Sequence, residues 1–200
     1  MEEFLRKELV KCMKYLHTKG LISGIGGNAS VRLSENEVLI TPSGLLKAEL
    51  HPSDIVKIDM NGNVLSGFLK PSREGKLHIA IYRARPDVSA IIHAHNPFTV
   101  GITLAGKKIE PVNYEAWTMF KDVPILEFKL PGSEDLANLV AQNIKSNSAV
   151  ILQNHGVVTV GKTLMEALYI AETLEEVSTM IFVASCLGGA KLIPREYMKD

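Results

Sequence analysis

Cysteine, net charge and long apolar runs are all scarce in this chain, and each shortage closes off a class of protein. Only two cysteines occur in 200 residues, Cys12 and Cys186. They lie far apart in apolar helical patterns, so they read as reduced core residues of a cytoplasmic protein rather than a disulfide framework. Lysine plus arginine equals aspartate plus glutamate, 22 against 22. With no basic block, a nucleic-acid partner is not expected. The longest stretch free of formal charge, Val88 to Gly106, holds two histidines, Asn96, Pro97 and glycines. That composition suits a buried strand and helix, not a membrane span. The charged opening, Met1 to Lys14, does not read as a signal peptide. Repeats, low-complexity tracts and linkers are missing too. Residues 1–200 are therefore expected to form a single domain, large enough to bury a core without disulfides.

What is present centres on Ser89 to Pro97, S-A-I-I-H-A-H-N-P. A short apolar run bounded by Pro86-Asp87 and Asn96-Pro97 reads as a buried strand. Side chains alternate along a strand, so His93 and His95 share a face with Ala94 opposite. Two imidazoles on one face can be metal ligands or simply a hydrogen-bonded pair, and H-x-H alone does not choose.

The rest of the chain supplies possible partners. Glu2 to Lys19 carries an amphipathic helical stripe that stops at Gly20. G-I-G-G-N-A-S, Gly24 to Ser30, is either an anion-binding nest or an ordinary flexible turn. Short strands follow at Ala29 to Leu33, Glu37 to Thr41, Ile55 to Asp59 and Asn63 to Ser66, with Asn61-Gly62 as a hairpin signal. Thr41-Pro42-Ser43-Gly44 and Pro71-Ser72-Arg73-Glu74 are two more small, hydroxyl-bearing loops, the second opening a helix to about Ala84. Such loops and helix starts suit phosphate. His78, four residues after Glu74, either orients that carboxylate or fills a polar niche. His17 sits near the end of the first helix, where a cation suits the dipole, and His51 reads as solvent-facing. After a helix over Pro97 to Ala105, residues 112–120 gather Tyr114, Trp117 and Phe120 without a clean period, which leaves core, interface and site open. A helix runs from Ser133 to Lys145. The strands Ala149 to Leu152 and Val157 to Val160 then flank Q-N-H-G, which puts His155 in a tight turn. A long helix covers Thr163 to Leu187.

Three imidazoles with an open fourth position are a catalytic metal site, most naturally for Zn²⁺. A metal, a phosphate cradle and a carboxylate together suit chemistry beside a carbonyl: the metal stabilises developing negative charge and Glu74 moves the proton.

Five motifs in register carry a resemblance: G-x-x-G-N-x-S-x-R (Gly24 to Arg32), L-I-T-P-S-G (Leu39 to Gly44), P-S-x-E (Pro71 to Glu74), H-A-H (His93 to His95) and Q-N-H-G (Gln153 to Gly156). On these the chain resembles the class II aldolase/epimerase superfamily, most closely its L-fuculose-1-phosphate aldolase branch. The resemblance implies an α/β fold of three layers, α/β/α, around a mainly antiparallel sheet. It implies one zinc per subunit held by His93, His95 and His155, with Glu74 as acid/base that can also approach the metal at rest. Gly27, Asn28, Ser43, Gly44 and Ser72 match phosphate-site positions. Tyr114 matches a tyrosine reaching into a neighbour's site in a homotetramer with shared active sites. The implied reaction is reversible cleavage of L-fuculose 1-phosphate, or a similar ketose 1-phosphate, to dihydroxyacetone phosphate and L-lactaldehyde.

Two features depart from that branch. Arg73 stands where its pattern has a second serine, and either adds charge to the phosphate site or points away. The tail is shorter, with Tyr197 the candidate for a tail tyrosine. A ribulose-phosphate 4-epimerase and a methylthioribulose-phosphate dehydratase share the scaffold, as do non-catalytic cytoskeletal head domains. Zinc-hydroxide hydrolysis is a further option.

Overall fold

The computed structural model describes residues 1–120 and 122–197. Helix α1 (Glu2–Thr18) opens the chain, and strands β1 (Asn28–Arg32), β2 (Glu37–Ile40), β3 (Val56–Asp59) and β4 (Val64–Ser66) follow as a meander. Helix α2 (Gly75–Ala84) leads to β5 (Ala90–Ala94), α3 (Pro97–Leu104) and a short α4 (Tyr114–Met119). Then come β6 (Ile125–Leu126), α5 (Glu134–Asn143), the hairpin of β7 (Ala149–Leu152) and β8 (Gly156–Gly161), and the long α6 (Leu164–Cys186). The sheet runs β4-β3-β2-β1-β5-β8-β7-β6, and its pairings are antiparallel except for β6 with β7.

Alternation along the strands decides the layers. In β5, Ala90, Ile92 and Ala94 pack into one core with α1 and α6, while Ile91 packs into a second core with α2 and α5. In β2, Leu39 joins the first core and Val38 and Ile40 the second. The result is three layers, with α1, α3 and α6 on one face and α2 and α5 on the other. Helix α1 docks by Leu9, Cys12, Met13 and Leu16, a stripe at helical spacing. Each such leucine contributes about 1.5–3 kcal/mol by leaving water. Local caps fix the helix starts: Asn113, Ser133 and Thr163 accept from the backbone N–H three residues on.

Three features differ from the sequence expectation. Residues 112–120 contain α4, a six-residue helix held by its Asn113 cap and packed on α6. The two-residue β6 had no sequence signal, because it exists only through its parallel pairing with β7. Cys12 is in the core, but Cys186 is exposed at the end of α6, so only one cysteine is a core residue. No described helix is long and apolar enough to cross a membrane.

Candidate active site

Strand register assembles the first part of the site. Asn28 pairs with His93 across β1 and β5, and His93 pairs with Val158 across β5 and β8. His95 lies one residue past β5, with its Nε2 3.1 Å from that of His93, so the H-x-H pair does converge on one side. The turn between β7 and β8 passes through Asn154 in the left-handed region, at φ 61°, and presents His155. Nitrogens from the three rings lie within 4.8 Å of one another. His93 Nδ1 is 2.9 Å from the Val157 carbonyl. That nitrogen therefore carries the proton and donates, leaving the Nε2 lone pair for the cluster.

Two glycines make room for these rings. A Cβ on Gly26 would come within 2.8 Å of the His95 ring, and one on Gly156 would strike the Ala94 carbonyl and lie 3.0 Å from His93 Cε1. The glycine loop is thus required, in part, by close packing against imidazoles.

Glu74 stands at the N-terminus of α2 and is buried. One carboxylate oxygen, Oε2, lies 3.2 Å from His93 Nε2, and Oε1 lies 3.8 Å from His155 Nε2. Among the described residues, Oε1 has no hydrogen-bond partner. An orphaned buried carboxylate oxygen beside three converging imidazoles fits a cation between them.

A hydrogen-bonded chain holds Glu74 from behind. Asn28 Nδ2 donates to Glu74 Oε2 at 2.8 Å, and Asn28 Oδ1 lies 2.6 Å from His78 Nε2. His78 Nδ1 is 2.6 Å from Ser30 Oγ, which is 2.9 Å from the Tyr82 hydroxyl. One direction of donation satisfies every member: Tyr82 to Ser30, Ser30 to His78, His78 to Asn28, Asn28 to Glu74. His78 thus fills a polar niche and also orients Glu74, through Asn28. It does so as a neutral ring, since complete burial pushes its pKa down to about 3. Burial likewise brings His93 down to about 4 and lowers His95. For Glu74, burial works against the charge. The neighbouring imidazoles and the Asn28 donor outweigh it, so the carboxyl is held below its ordinary range.

A cavity of about 380 Å³ opens beside this cluster. Gly27, Asn28, Ser43, Gly44, Ser72 and Arg73 all line it, together with Glu74, His95 and His155. The loops that carry Ser43 and Ser72 are tied together, Ser72 N–H donating to the Thr41 carbonyl at 3.1 Å and Ser43 N–H to the Lys70 carbonyl at 2.9 Å. Arg73 is exposed at the rim. Lys47 also lines the cavity, and the sequence reading missed it. Two tyrosines stand apart. Tyr114 is 66% exposed, its ring tilted against Trp117, and Tyr197 is exposed in the turn Arg195–Tyr197; neither lines the cavity.

The family model for the class II aldolase and adducin N-terminal domain matches residues 7–182. The chain belongs to the class II aldolase family. An L-fuculose phosphate aldolase of Methanocaldococcus jannaschii is 35% identical over 171 residues, 86% of this chain and 92% of that protein. A 5-deoxy-D-ribulose 1-phosphate aldolase of Bacillus thuringiensis serovar kurstaki is 31% identical over 196 residues, 98% of this chain and 92% of that protein. Among solved structures, an L-fuculose 1-phosphate aldolase superposes with a TM-score of 0.88 at 34% identity, over 96% of this chain and 92% of the other. Class II aldolases are metal-dependent lyases, and the three histidines form a group that could hold the ion.

Proposed function

We propose that this class II aldolase uses zinc to cleave a ketose 1-phosphate reversibly, with L-fuculose 1-phosphate or a similar sugar as substrate. Dihydroxyacetone phosphate is the common product half, and L-lactaldehyde is the aldehyde for L-fuculose 1-phosphate. The whole chain, 1–200, acts as one domain of this type. The observation that carries the reading is the convergence of three imidazoles and a buried carboxylate beside a cavity lined by two serine-bearing loops.

His93, His95 and His155 would hold the ion; three imidazoles with an open position suit zinc. Zinc, when bound, supplies Lewis-acid stabilisation of negative charge developing beside a carbonyl. In the condensation direction Glu74 takes a proton from the hydroxymethyl carbon of dihydroxyacetone phosphate. That carbon then bonds to the aldehyde carbonyl carbon, and the aldehyde oxygen gains a proton. In cleavage the same steps reverse. Gly27, Asn28, Ser43, Gly44 and Ser72 hold the phosphate, with Arg73 at the rim able to grip it by two parallel hydrogen bonds.

The reading is tested by incubating purified protein with dihydroxyacetone phosphate and a panel of aldehydes, with and without chelator. New ketose 1-phosphate that disappears with the chelator is the expected result. Cleavage assays on ketose 1-phosphates should in turn release free dihydroxyacetone phosphate. Stereoisomer formation or water loss without that product would point to the epimerase or dehydratase chemistry. Esterase activity alone would point to hydrolysis.

Tyr114 is proposed as the proton donor to the new alkoxide, entering from a neighbouring subunit of a homotetramer. Its exposure and its place outside the lining of its own chain's cavity support this. Glu74→Gln and Tyr114→Phe chains, each strongly impaired, should recover activity on refolding together, with about a quarter of sites wild type by random assortment. A mixture no better than the average of its parents, with both variants tetrameric, would reject a shared site.

A further inference from the structure

Lys47 is a charged residue where charge is costly. It follows the loop Thr41-Pro42-Ser43-Gly44, at the start of the 3₁₀ turn Lys47–Glu49, and only 1% of its surface is exposed. Its Nζ donates to the Pro42 carbonyl at 2.9 Å. Among the described residues no carboxylate lies within ion-pair distance of it. Lysine is almost never fully buried unless paired, and an ammonium taken out of water without a counter-charge is strongly disfavoured. The ammonium carries three donors, and one carbonyl uses one of them.

The position of this residue says what can satisfy it. Lys47 lines the cavity together with Pro42, Ser43, Gly44 and Ser72, on the loops proposed to hold phosphate. Among the described residues that line the cavity the one carboxylate is Glu74, which turns toward Asn28 and the imidazoles. A doubly charged group with several acceptor oxygens, seated on those loops, would supply the missing counter-charge. We propose that Lys47 is the fixed positive charge that makes this cavity select a phosphate monoester over the same sugar without phosphate. The proposal rests on the phosphate-cradle reading above and adds to it the residue that neutralises the charge. Burial lowers the pKa of the empty-site ammonium, so the charge is held at a cost that a bound dianion offsets. Arg73, exposed at the rim, is screened by water and is a weaker source of selectivity.

The competing explanation is structural: Lys47 would only pin the Pro42 loop. Glycerol 3-phosphate, an unreactive phosphate monoester, separates the two by calorimetric titration of the metal-loaded enzyme, with glycerol as control. Lys47→Gln keeps a hydrogen-bond donor near Pro42 and removes the charge. Its dissociation constant for glycerol 3-phosphate should rise roughly 10–100-fold, the effect of losing one hydrogen bond to a charged group, with metal content unchanged. Lys47→Met gives a second readout through thermal unfolding. Removing an uncompensated buried charge should hold or raise the melting temperature without ligand, and abolish most of the rise that glycerol 3-phosphate gives the wild type. An unchanged dissociation constant in Lys47→Gln, or a ligand-induced rise that persists in Lys47→Met, overturns the role of Lys47 and leaves the cradle standing. If the wild type itself fails to bind glycerol 3-phosphate, the cradle reading falls, and this proposal with it.

Discussion

His95→Ala is expected to lose tightly bound metal and essentially all turnover, while the chain still folds. The ring sits one residue beyond β5, half-buried, and faces His93 across 3.1 Å. Its removal leaves two imidazoles, one short of the histidine set that would hold the ion. The backbone beneath it is unaffected, since His95 N–H bonds to the Leu21 carbonyl whatever the side chain. Metal content measured beside circular dichroism therefore separates loss of the ion from loss of fold. Stoichiometric metal with full activity in this variant would sink the site assignment. The same nitrogens also set a pH window. An imidazole binds metal only through an unprotonated nitrogen, and burial moves His93 from 6.5 down to about 4 and lowers His95. The lowered values mean that protons compete poorly through the ordinary histidine range. Metal should stay bound as pH falls through 6.5 and leave as it approaches about 4. In metal-free protein, the depressed values instead cost stability over that same falling range, because the unfolded chain takes up protons that the folded one refuses. Metal-free protein should therefore lose melting temperature over that range, and loaded protein should lose it only at lower pH.

Legibility in the sequence followed the range of the interactions. Local patterns were readable. The apolar run bounded by prolines is β5, Asn61-Gly62 makes the β3–β4 turn with Gly62 at φ 87°, and the long helix starts at its threonine cap. The members of the imidazole cluster were also accessible, because strand alternation and a tight turn mark them, while the pairing of β5 with β8 is what brings them together. Four things were not. Strand β6 is two residues long, and α4 depends on packing against α6. The chain from Tyr82 to Glu74 runs through Ser30 and Asn28, on a strand about fifty residues earlier. Lys47 does not stand out by its own type, because a lysine in a loop ordinarily faces water. Its flanks, Leu45, Leu46 and Leu50, were the available signal, since an apolar loop is one that can bury a charge.

Glu74→Gln should lower turnover by roughly 10²–10⁴-fold, the usual cost of removing a positioned acid/base group, while keeping stoichiometric metal. The substitution changes little besides basicity. Glutamine matches glutamate in length, and its amide oxygen can take the place of Oε2 and accept from Asn28 Nδ2, so the chain back through His78 to Tyr82 stays intact. The NH₂ group then takes the place of Oε1, the oxygen that has no hydrogen-bond partner among the described residues. An amide there cannot accept a proton from carbon. The three imidazoles remain, so the metal should remain. Exchange isolates the step: wild-type protein in deuterated water should replace one hydrogen on the hydroxymethyl carbon of dihydroxyacetone phosphate without any aldehyde present, and Glu74→Gln should do so at a strongly reduced rate. Because the carboxyl is held below its ordinary range, exchange by the wild type should persist through mildly acidic pH and fail only as Glu74 takes up a proton or the metal leaves. Near-wild-type exchange and cleavage in Glu74→Gln would move the proton transfer to another group. Glu115, on α4 and exposed in this chain, is next in line.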